Sequence, residues 1–260
     1  MKSFWRWLAL VALAFVLLQL FFVARIAAML VINPQSTAFE RSEAWRLASQ
    51  KGTLRWGQQW MPYDKISNNL KRAVIASEDD GFASHEGVDW DAIEKAWQKN
   101  SRAQELAAQA QARNAARNAT TISPKATKTP TARPVKQAKI VGGSTITQQL
   151  AKNLFLSGER TLLRKGQEFV LTLMLEAVLS KERILEIYLN NVEWGEGVFG
   201  AEAASLHYFR KPAARLSTYE AARLAVMLPR PKYFEKLPNS SYVAGRAGTI
   251  ARRLESAELP

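Results

Sequence analysis

Residues 142–153 read GGSTITQQLAKN, and this stretch predicts a capped helix with its polar side chains on one face. The two glycines allow a tight bend before the helix, and the hydroxyls of Ser144 and Thr145 are typical N-caps. Thr145, Gln149 and Lys152 then recur at i, i+4 and i+7, which places them on the same side. Apolar residues on a different face, able to pack inward, are Ile146, Leu150 and Leu154.

This helix start has two possible interpretations. Glycines before a helix N-terminus, with an ammonium group further along, form a good place to hold phosphate oxygens, because the N–H groups and the helix dipole favour anions. The alternative is an ordinary capped surface helix with solvated polar residues, which is the commoner case. The spacing alone leaves both interpretations open.

The amino-terminal end predicts a membrane anchor. An apolar run over residues 8–32 is interrupted only by Gln19 and Arg25, and about 20 apolar residues span a bilayer. The basic flank, residues 1–7, is expected in the cytoplasm and the chain after about residue 33 outside it. A cleaved signal peptide is the alternative, which the length of the run and the lack of an A-x-A site disfavour.

The rest of the chain is long enough for one domain with a real core. We expect a juxtamembrane segment over residues 33–55, a domain over 56–235 and a C-terminal tail over 236–260. There is no cysteine, which excludes disulfides and thiolate chemistry. The only two histidines, His85 and His207, are far apart in sequence and make a histidine zinc site unfavourable.

The net charge of +13 is concentrated in residues 98–140, which hold nine Lys or Arg, one acid and no aromatic residue. The part up to about Asn118 is alanine-rich and could be helical. The part that follows, TTISPKATKTPTARPVKQAK, is too poor in apolar residues to fold alone. We expect a basic, flexible insertion. Nucleic-acid binding is disfavoured because stacking aromatics are absent, whereas attraction to anionic lipid head groups or polymers and a solvated linker both stay open.

Helical periodicity dominates elsewhere, and alternating strands are lacking, so we predict a mainly α fold. The predicted helices cover residues 36–50, 68–83, 162–180, 183–190 and 201–208, and a last one starts at the capping box 217–220 and is stopped by Pro229 and Pro231. The core stripe expected on the 162–180 helix comprises Leu163, Phe169, Val170, Leu173, Met174, Ala177 and Val178. An irregular stretch that could lie at the lipid interface contains Trp56, Trp60, Met61 and Tyr63.

The first candidate catalytic group is Glu78, in the motif ASEDDGFASHEGVDW. Because it directly follows an apolar run, it is expected where a core helix meets a cleft. A partly desolvated glutamate has a raised pKa, which suits a general base. The alternative is an acidic helix end on the surface.

The second candidate is Glu168, in ERTLLRKGQEF. Arg164 and Lys165 lie four and three residues before it, so a helical ion pair is the default explanation. However, these two cations, with Lys152 and Arg160, concentrate positive charge. Acids beside such a cluster suit phosphate leaving-group chemistry, in which the cations hold the departing charge.

Taken together, the motifs EDDGFASHEGVD, GGSTITQQLAKN, RKGQE and KERILEIYLNNVEWGEGVFGAEAASLHYF, in this order, resemble those of the peptidoglycan glycosyltransferases that polymerise lipid II. The later STYEAARLAVMLPRP is similar to the end of that domain, so the resemblance runs from about Trp56 to Phe234. With no room for a transpeptidase domain, the chain resembles the monofunctional enzymes rather than bifunctional penicillin-binding proteins.

The resemblance implies a lysozyme-like glycosyltransferase domain behind one N-terminal transmembrane helix. It implies Glu78 as catalytic base and Glu168 as second acid. The substrate-binding residues that it implies are Asp79, Phe82, His85, Thr145, Gln149, Lys152, Asn153, Arg160, Arg164 and Lys165.

The implied reaction joins lipid II to a growing polyprenyl-linked glycan strand. The 4-hydroxyl of the acceptor attacks the anomeric carbon of the strand, and undecaprenyl pyrophosphate leaves with inversion. The resemblance allows for Mg²⁺ or Mn²⁺ at the pyrophosphate, although no cluster of metal ligands in the sequence indicates such an ion. It implies no organic cofactor. It implies a single-pass protein of the bacterial inner membrane with a periplasmic domain. Other cell-wall synthesis or division proteins are conceivable partners.

The sequence departs from the family pattern in two places. The basic insertion lengthens the connection before GGST, and Arg210 replaces the glycine expected in YFGK. Two other functions are weighed against polymerisation. One is a lysozyme-like enzyme that cleaves peptidoglycan, and the other is a non-enzymatic membrane scaffold for which Glu78 is dispensable.

Overall fold

The computed structural model describes residues 2–52, 55–120, 143–156 and 161–260, and the prediction of a mainly α fold is confirmed. In chain order the helices are α1 (Lys2–Ala28), α2 (Ala38–Lys51), α3 (Asn68–Glu78), α4 (Trp90–Thr120), α5 (Ile146–Phe155), α6 (Leu162–Val178), α7 (Lys181–Asn191), α8 (Ala201–Phe209), α9 (Thr218–Met227), α10 (Pro231–Phe234) and α11 (Ser241–Arg253).

A small sheet completes the secondary structure. Its strands, β1 (Gly57–Gln58), β2 (Glu193–Gly195) and β3 (Val198–Phe199), are ordered β1–β3–β2. β3 pairs in parallel with β1 and antiparallel with β2. Strands of two or three residues are too short to show alternation, which explains why the sequence did not predict them.

The chain divides into two compact units, residues 1–88 with 144–260, and residues 89–143. In the first unit α9 packs between α3 and α11. Fully buried side chains such as Leu70, Ile75, Leu224 and Val243 join these helices. The three apolar residues predicted to face inward on α5 are also buried. This core holds the end of α3 and the start of α5, where the site forms.

Helix α1 is long and apolar enough to cross a bilayer. Its second half packs on the rest of the first unit: Phe22 meets Phe155 edge to face with ring centroids 5.4 Å apart, and Ile26 is buried. Just beyond α1, the carbonyl of Met29 accepts a 2.8 Å hydrogen bond from the Arg183 side chain. The apolar helix is therefore bonded to the unit that carries the site.

The buried face of α6 differs from the predicted one. Leu163 is 89% exposed and Leu173 43% exposed, whereas Leu171 and Leu175 are buried. The predicted stripe is therefore wrong at Leu163 and Leu173, whereas two of its other members, Met174 and Val178, pack partly buried against the core. Because α6 is apolar on most sides, periodicity cannot choose its inward face; its start lies beside α1, where Gln19 and Gln167 exchange hydrogen bonds.

The second unit contains α4, which confirms that the alanine-rich part of the insertion is helical. The helix begins earlier, where Asp89 Oδ1 accepts a 2.7 Å hydrogen bond from the N–H of Ala92. Lysine and arginine side chains along α4, including Lys95, Lys99 and Arg102, are exposed. The rest of the insertion, from residue 121, lies outside the described residues.

The C-terminal residues 236–260, expected as a tail, contain helix α11. The capping box that starts α9 is confirmed by reciprocal hydrogen bonds between Ser217 and Glu220. However, α9 is not the last helix, since α10 and α11 follow. Val243, Ala247 and Ile250 of α11 are buried, and α11 packs on α9 and α3. Because of this packing, residues 241–253 belong to the helical core and are not a tail.

The aromatic stretch after α2, residues 56–63, packs against the rest of the domain. Trp56 stacks on Phe199 with ring centroids 4.5 Å apart. The indole of Trp60 donates a 3.2 Å hydrogen bond to Glu186, and Met61 packs partly buried against the core. These contacts fix the path of the chain from the anchor into the domain.

Candidate active site

Glu78 is the last residue of α3, five residues before the predicted helix end. The helix stops there because Asp79 leaves helical geometry, with φ −163°. The Glu78 side chain is partly buried, and its Oε2 accepts a 3.1 Å hydrogen bond from Nε2 of Gln149 on α5. Burial raises the pKa of Glu78; hydrogen bonds from Gln149 and Ser77 oppose this, and the negative charge of Asp79 adds to it.

Gln149 is itself held by a residue that the sequence did not single out. The hydroxyl of Tyr188, on α7, donates a 3.0 Å hydrogen bond to Gln149 Oε1. Tyr188 is 1% exposed, and a buried tyrosine hydroxyl needs a partner. That requirement was the only signal available in the sequence, and it does not name the partner.

Asp79 and His85, both expected in the substrate site, bind each other. Asp79 Oδ1 lies 2.8 Å from His85 Nε2, and the N–H of Gly87 donates to His85 Nδ1 at 3.1 Å. Nδ1 is therefore an acceptor, and the proton on Nε2 points to Asp79. These hydrogen bonds hold the loop that follows α3, so the helix predicted to run to residue 83 ends at Glu78.

The network continues into the start of α5. Asp79 Oδ2 accepts a 2.9 Å hydrogen bond from the N–H of Ile146. Thr145, 2% exposed, caps the helix, since its hydroxyl accepts from the Gln148 N–H and donates to the Gly87 carbonyl at 2.7 Å. These groups of the helix start are thus bound by the protein itself, and the Thr145 hydroxyl is already used in both directions.

Gly87 cannot be replaced easily at this contact. Its φ of +85° is a left-handed conformation that favours glycine. A Cβ atom there would lie 2.7 Å from Glu176 Cγ and 2.8 Å from Thr172 Cγ2. The close approach of Gly87 to α6 allows its carbonyl to reach Thr145.

The remaining predicted residues on α3 and α5 differ in accessibility. Phe82 is fully buried, and the Lys181 ammonium lies 4.6 Å from its ring centroid. Its ring therefore anchors the loop after α3 in the core. Lys152 is exposed and Asn153 is partly exposed. Of these three side chains, only Lys152 and Asn153 can meet a ligand directly without rearrangement of the core.

Glu168 on α6 is only 4% exposed and forms ion pairs with two cations. Arg164 Nη1 lies 3.2 Å from Glu168 Oε2, and Lys165 donates to Oε1. The predicted ion pair is therefore present, but it is buried at the carboxylate. Arg164 Nε is buried with no hydrogen-bond partner, while Lys165 is half exposed. Arg160 lies outside the described residues.

Among the described residues, no group of three or more His, Asp or Glu side chains converges as a metal site. The acid of the cationic segment, Glu168, is already bound by Arg164 and Lys165. Because Mg²⁺ is commonly bound through one or two carboxylates together with substrate phosphates, a divalent cation at the pyrophosphate stays a prediction.

Comparisons with known proteins identify the family. The transglycosylase family model matches residues 47–129 and 117–255. A curated protein of Burkholderia thailandensis named biosynthetic peptidoglycan transglycosylase is 51% identical over 260 residues, covering 98% of this chain and 88% of that protein. Relatives of the same name from Burkholderia lata and Burkholderia orbicola are each 50% identical over 242 residues, or 93% of this chain and 85% of theirs. The ordered motifs, the helical fold and these matches agree: the chain belongs to the transglycosylase family.

Proposed function

We propose that this protein is a peptidoglycan glycosyltransferase that polymerises lipid II into β-1,4-linked glycan strands. The observation that carries the proposal is Glu78, a partly buried carboxylate with a raised pKa at the end of a core helix, in a chain of the transglycosylase family. A carboxylate in such a place can accept a proton from a sugar hydroxyl.

In the proposed reaction Glu78 removes the proton from the 4-hydroxyl of the acceptor lipid II. The hydroxyl oxygen forms a bond to the anomeric carbon of the growing strand, and the bond from that carbon to the pyrophosphate breaks. The electron pair leaves with undecaprenyl pyrophosphate, and the attack from the opposite face inverts the anomeric centre. The proton on Glu78 is then released to water, which restores the base.

The departing pyrophosphate is proposed to be held by cations. Lys152 is exposed beyond Gln149 on α5, and Lys165 is half exposed on α6. Preorganised positive charges stabilise charge that develops on a leaving group. In this proposal Glu168 orients Arg164 and Lys165 instead of exchanging a proton, because both of its oxygens are engaged by these cations.

The location follows from the anchor. With basic residues before α1, the amino terminus is proposed to face the cytoplasm and the domain the periplasm of the bacterial inner membrane. There the domain meets the polyprenyl tails of both substrates in the same bilayer. The contact of α1 with α5 and α6 supports this arrangement, since it keeps the anchor beside the helices that carry Gln149 and Glu168.

Incubation with two substrates tests the proposal. Purified full-length protein in liposomes should convert lipid II into long glycan strands and release undecaprenyl pyrophosphate, and it should leave intact sacculi uncut. Soluble fragments from sacculi without polymer from lipid II would instead support the lysozyme-like hydrolase. Neither product, from protein that is folded by circular dichroism, would support the non-enzymatic scaffold.

A further inference from the structure

Tyr188 is buried in the core, yet its hydroxyl reaches the side chain that contacts Glu78. It lies on α7, in the same helix as Arg183, whose side chain bonds the carbonyl of Met29 after the anchor. The hydroxyl donates to Gln149 Oε1 at 3.0 Å, and Gln149 Nε2 donates to Glu78 Oε2 at 3.1 Å. Three side chains from three helices therefore form one hydrogen-bonded series.

The order of donors in this series is fixed by chemistry. An ionised carboxylate only accepts hydrogen bonds, so the amide NH₂ of Gln149 must face Glu78. If the amide turned over, its oxygen would face the carboxylate and the two would repel. The turn would also leave the Tyr188 O–H without the acceptor to which it is bonded in the structure, and an O–H buried without an acceptor is costly, so this hydroxyl opposes the turn.

We infer that Tyr188 is a positioning residue for the proposed glycosyl transfer, acting through Gln149 to hold the Glu78 carboxylate in its base-competent state. The inference rests on the proposed function. It adds a residue that touches neither Glu78 nor the substrate directly, and it assigns the hydroxyl of Tyr188, rather than its ring, as the active part.

The groups that act on Glu78 have opposing effects on its pKa. Burial and the negative charge of Asp79 raise it, whereas the hydrogen bonds from Gln149 and Ser77 lower it. Loss of the Tyr188 hydroxyl frees Gln149 to turn, which removes one of the two lowering contacts. Glu78 would then stay protonated to a higher pH and be unavailable as a base over a wider range.

The test is the pH dependence of lipid II polymerisation by Tyr188→Phe, which keeps the ring. We expect the acidic side of the rate–pH profile, the acidic limb, to move up by about half a pH unit, as for loss of one hydrogen bond. The rate on that side should therefore fall about threefold. Tyr208→Phe is the matched control, because its partly buried hydroxyl donates only to the backbone carbonyl of Trp194 at 2.8 Å. Tyr208→Phe should keep the wild-type pH dependence of the rate.

Tyr188→Phe should also have no further effect on the pH limb in a Gln149→Met background, since Tyr188 acts through the amide. A wild-type rate and limb in Tyr188→Phe, or an equal shift in both backgrounds, would overturn the inference. If Tyr188→Phe does not fold, Gln149→Met alone must show the raised limb, and an unshifted limb there contradicts the inference. Activity in Glu78→Gln would instead overturn the proposed base.

Discussion

Asp79 Oδ2 accepts a 2.9 Å hydrogen bond from the backbone N–H of Ile146, 67 residues later in the chain. The other oxygen of the same carboxylate bonds His85. Asp79 therefore ties the end of the Glu78 helix to the start of the Gln149 helix. Because a negative charge at a helix N-terminus is favourable, this one side chain fixes the distance between the base and its hydrogen-bond donor.

The first prediction concerns this link. Asp79→Asn should lower the free energy of unfolding by roughly 1–3 kcal/mol, since a buried carboxylate loses its charge and one acceptor. Thermal or urea unfolding measures the change. The adjacent Asp80→Asn is the control: Asp80 pairs with Arg253 on the surface, and such a pair contributes less than about 1 kcal/mol. Equal, small effects of both substitutions would remove the structural role given to Asp79.

A second prediction concerns Arg210, at the end of α8. It has φ 57° and ψ 34°, and it is the only described non-glycine residue with positive φ. A residue with a Cβ atom is sterically strained in this conformation, whereas glycine is not. Arg210→Gly should therefore raise the free energy of unfolding by about 0.5–1 kcal/mol. Arg210→Ala retains the Cβ and should leave stability almost unchanged; a destabilised Arg210→Gly would contradict this explanation.

A third prediction is a pH dependence of stability. Burial raises the pKa of Glu40 and of Glu193 to about 7. Between the usual carboxyl value of 4.5 and that value, the folded state holds protons that the unfolded chain has lost. This contribution is complete below pH 4.5 and is lost as the pH rises through 7, by at most about 1.4 kcal/mol per pH unit for each group.

The variant Glu193→Gln should flatten this decline, as measured by urea unfolding between pH 5 and 8. Glu196→Gln is the matched control. Hydrogen bonds from Lys51 and Arg46 lower the pKa of Glu196 to about 2, so its contribution is present above pH 4.5 and is lost only as the pH falls towards 2. An unchanged slope in Glu193→Gln would show that this carboxyl does not titrate as described.

The sequence predicted contacts between residues that are close together in the chain, but not contacts between distant segments. The caps by Thr145 and Ser217 follow from residues three positions apart, and both are confirmed. The contacts of Asp79 with Ile146 and of Tyr188 with Gln149 join distant segments, and no local pattern indicates them. The family motifs supplied the names of the site residues, whereas the structure supplied their partners.

The outward face of α6 was misassigned for a related reason. A helix with apolar residues on most sides has no single face that periodicity can select. Its inward face is set by the helices that pack on it, chiefly α5 and also α1, which contacts it through Gln19 and Gln167. Leu163 and Leu173 are therefore exposed, although they fit the spacing of a core stripe.

A fourth prediction tests the cationic leaving-group site. Lys152→Ala should slow lipid II polymerisation by at least about 100-fold, as expected for loss of one preorganised charge. Lys152→Gln should behave in the same way, and Lys152→Arg should retain part of the activity. Because Lys152 is exposed, melting temperatures should hardly change. Lys65→Ala removes another exposed lysine and should keep the normal rate; near-normal turnover in Lys152→Ala would reject the phosphate role.

The most direct test of the central claim is the steady-state rate of lipid II polymerisation by Glu78→Gln. Glutamine keeps the shape of the side chain but cannot take the hydroxyl proton at neutral pH. We expect no measurable polymer above the background, with circular dichroism and melting temperature close to wild type. Glu86→Gln, an exposed acid in the same motif, should polymerise normally. If purified Glu78→Gln extends lipid II at more than a few per cent of the wild-type rate, Glu78 is not the base.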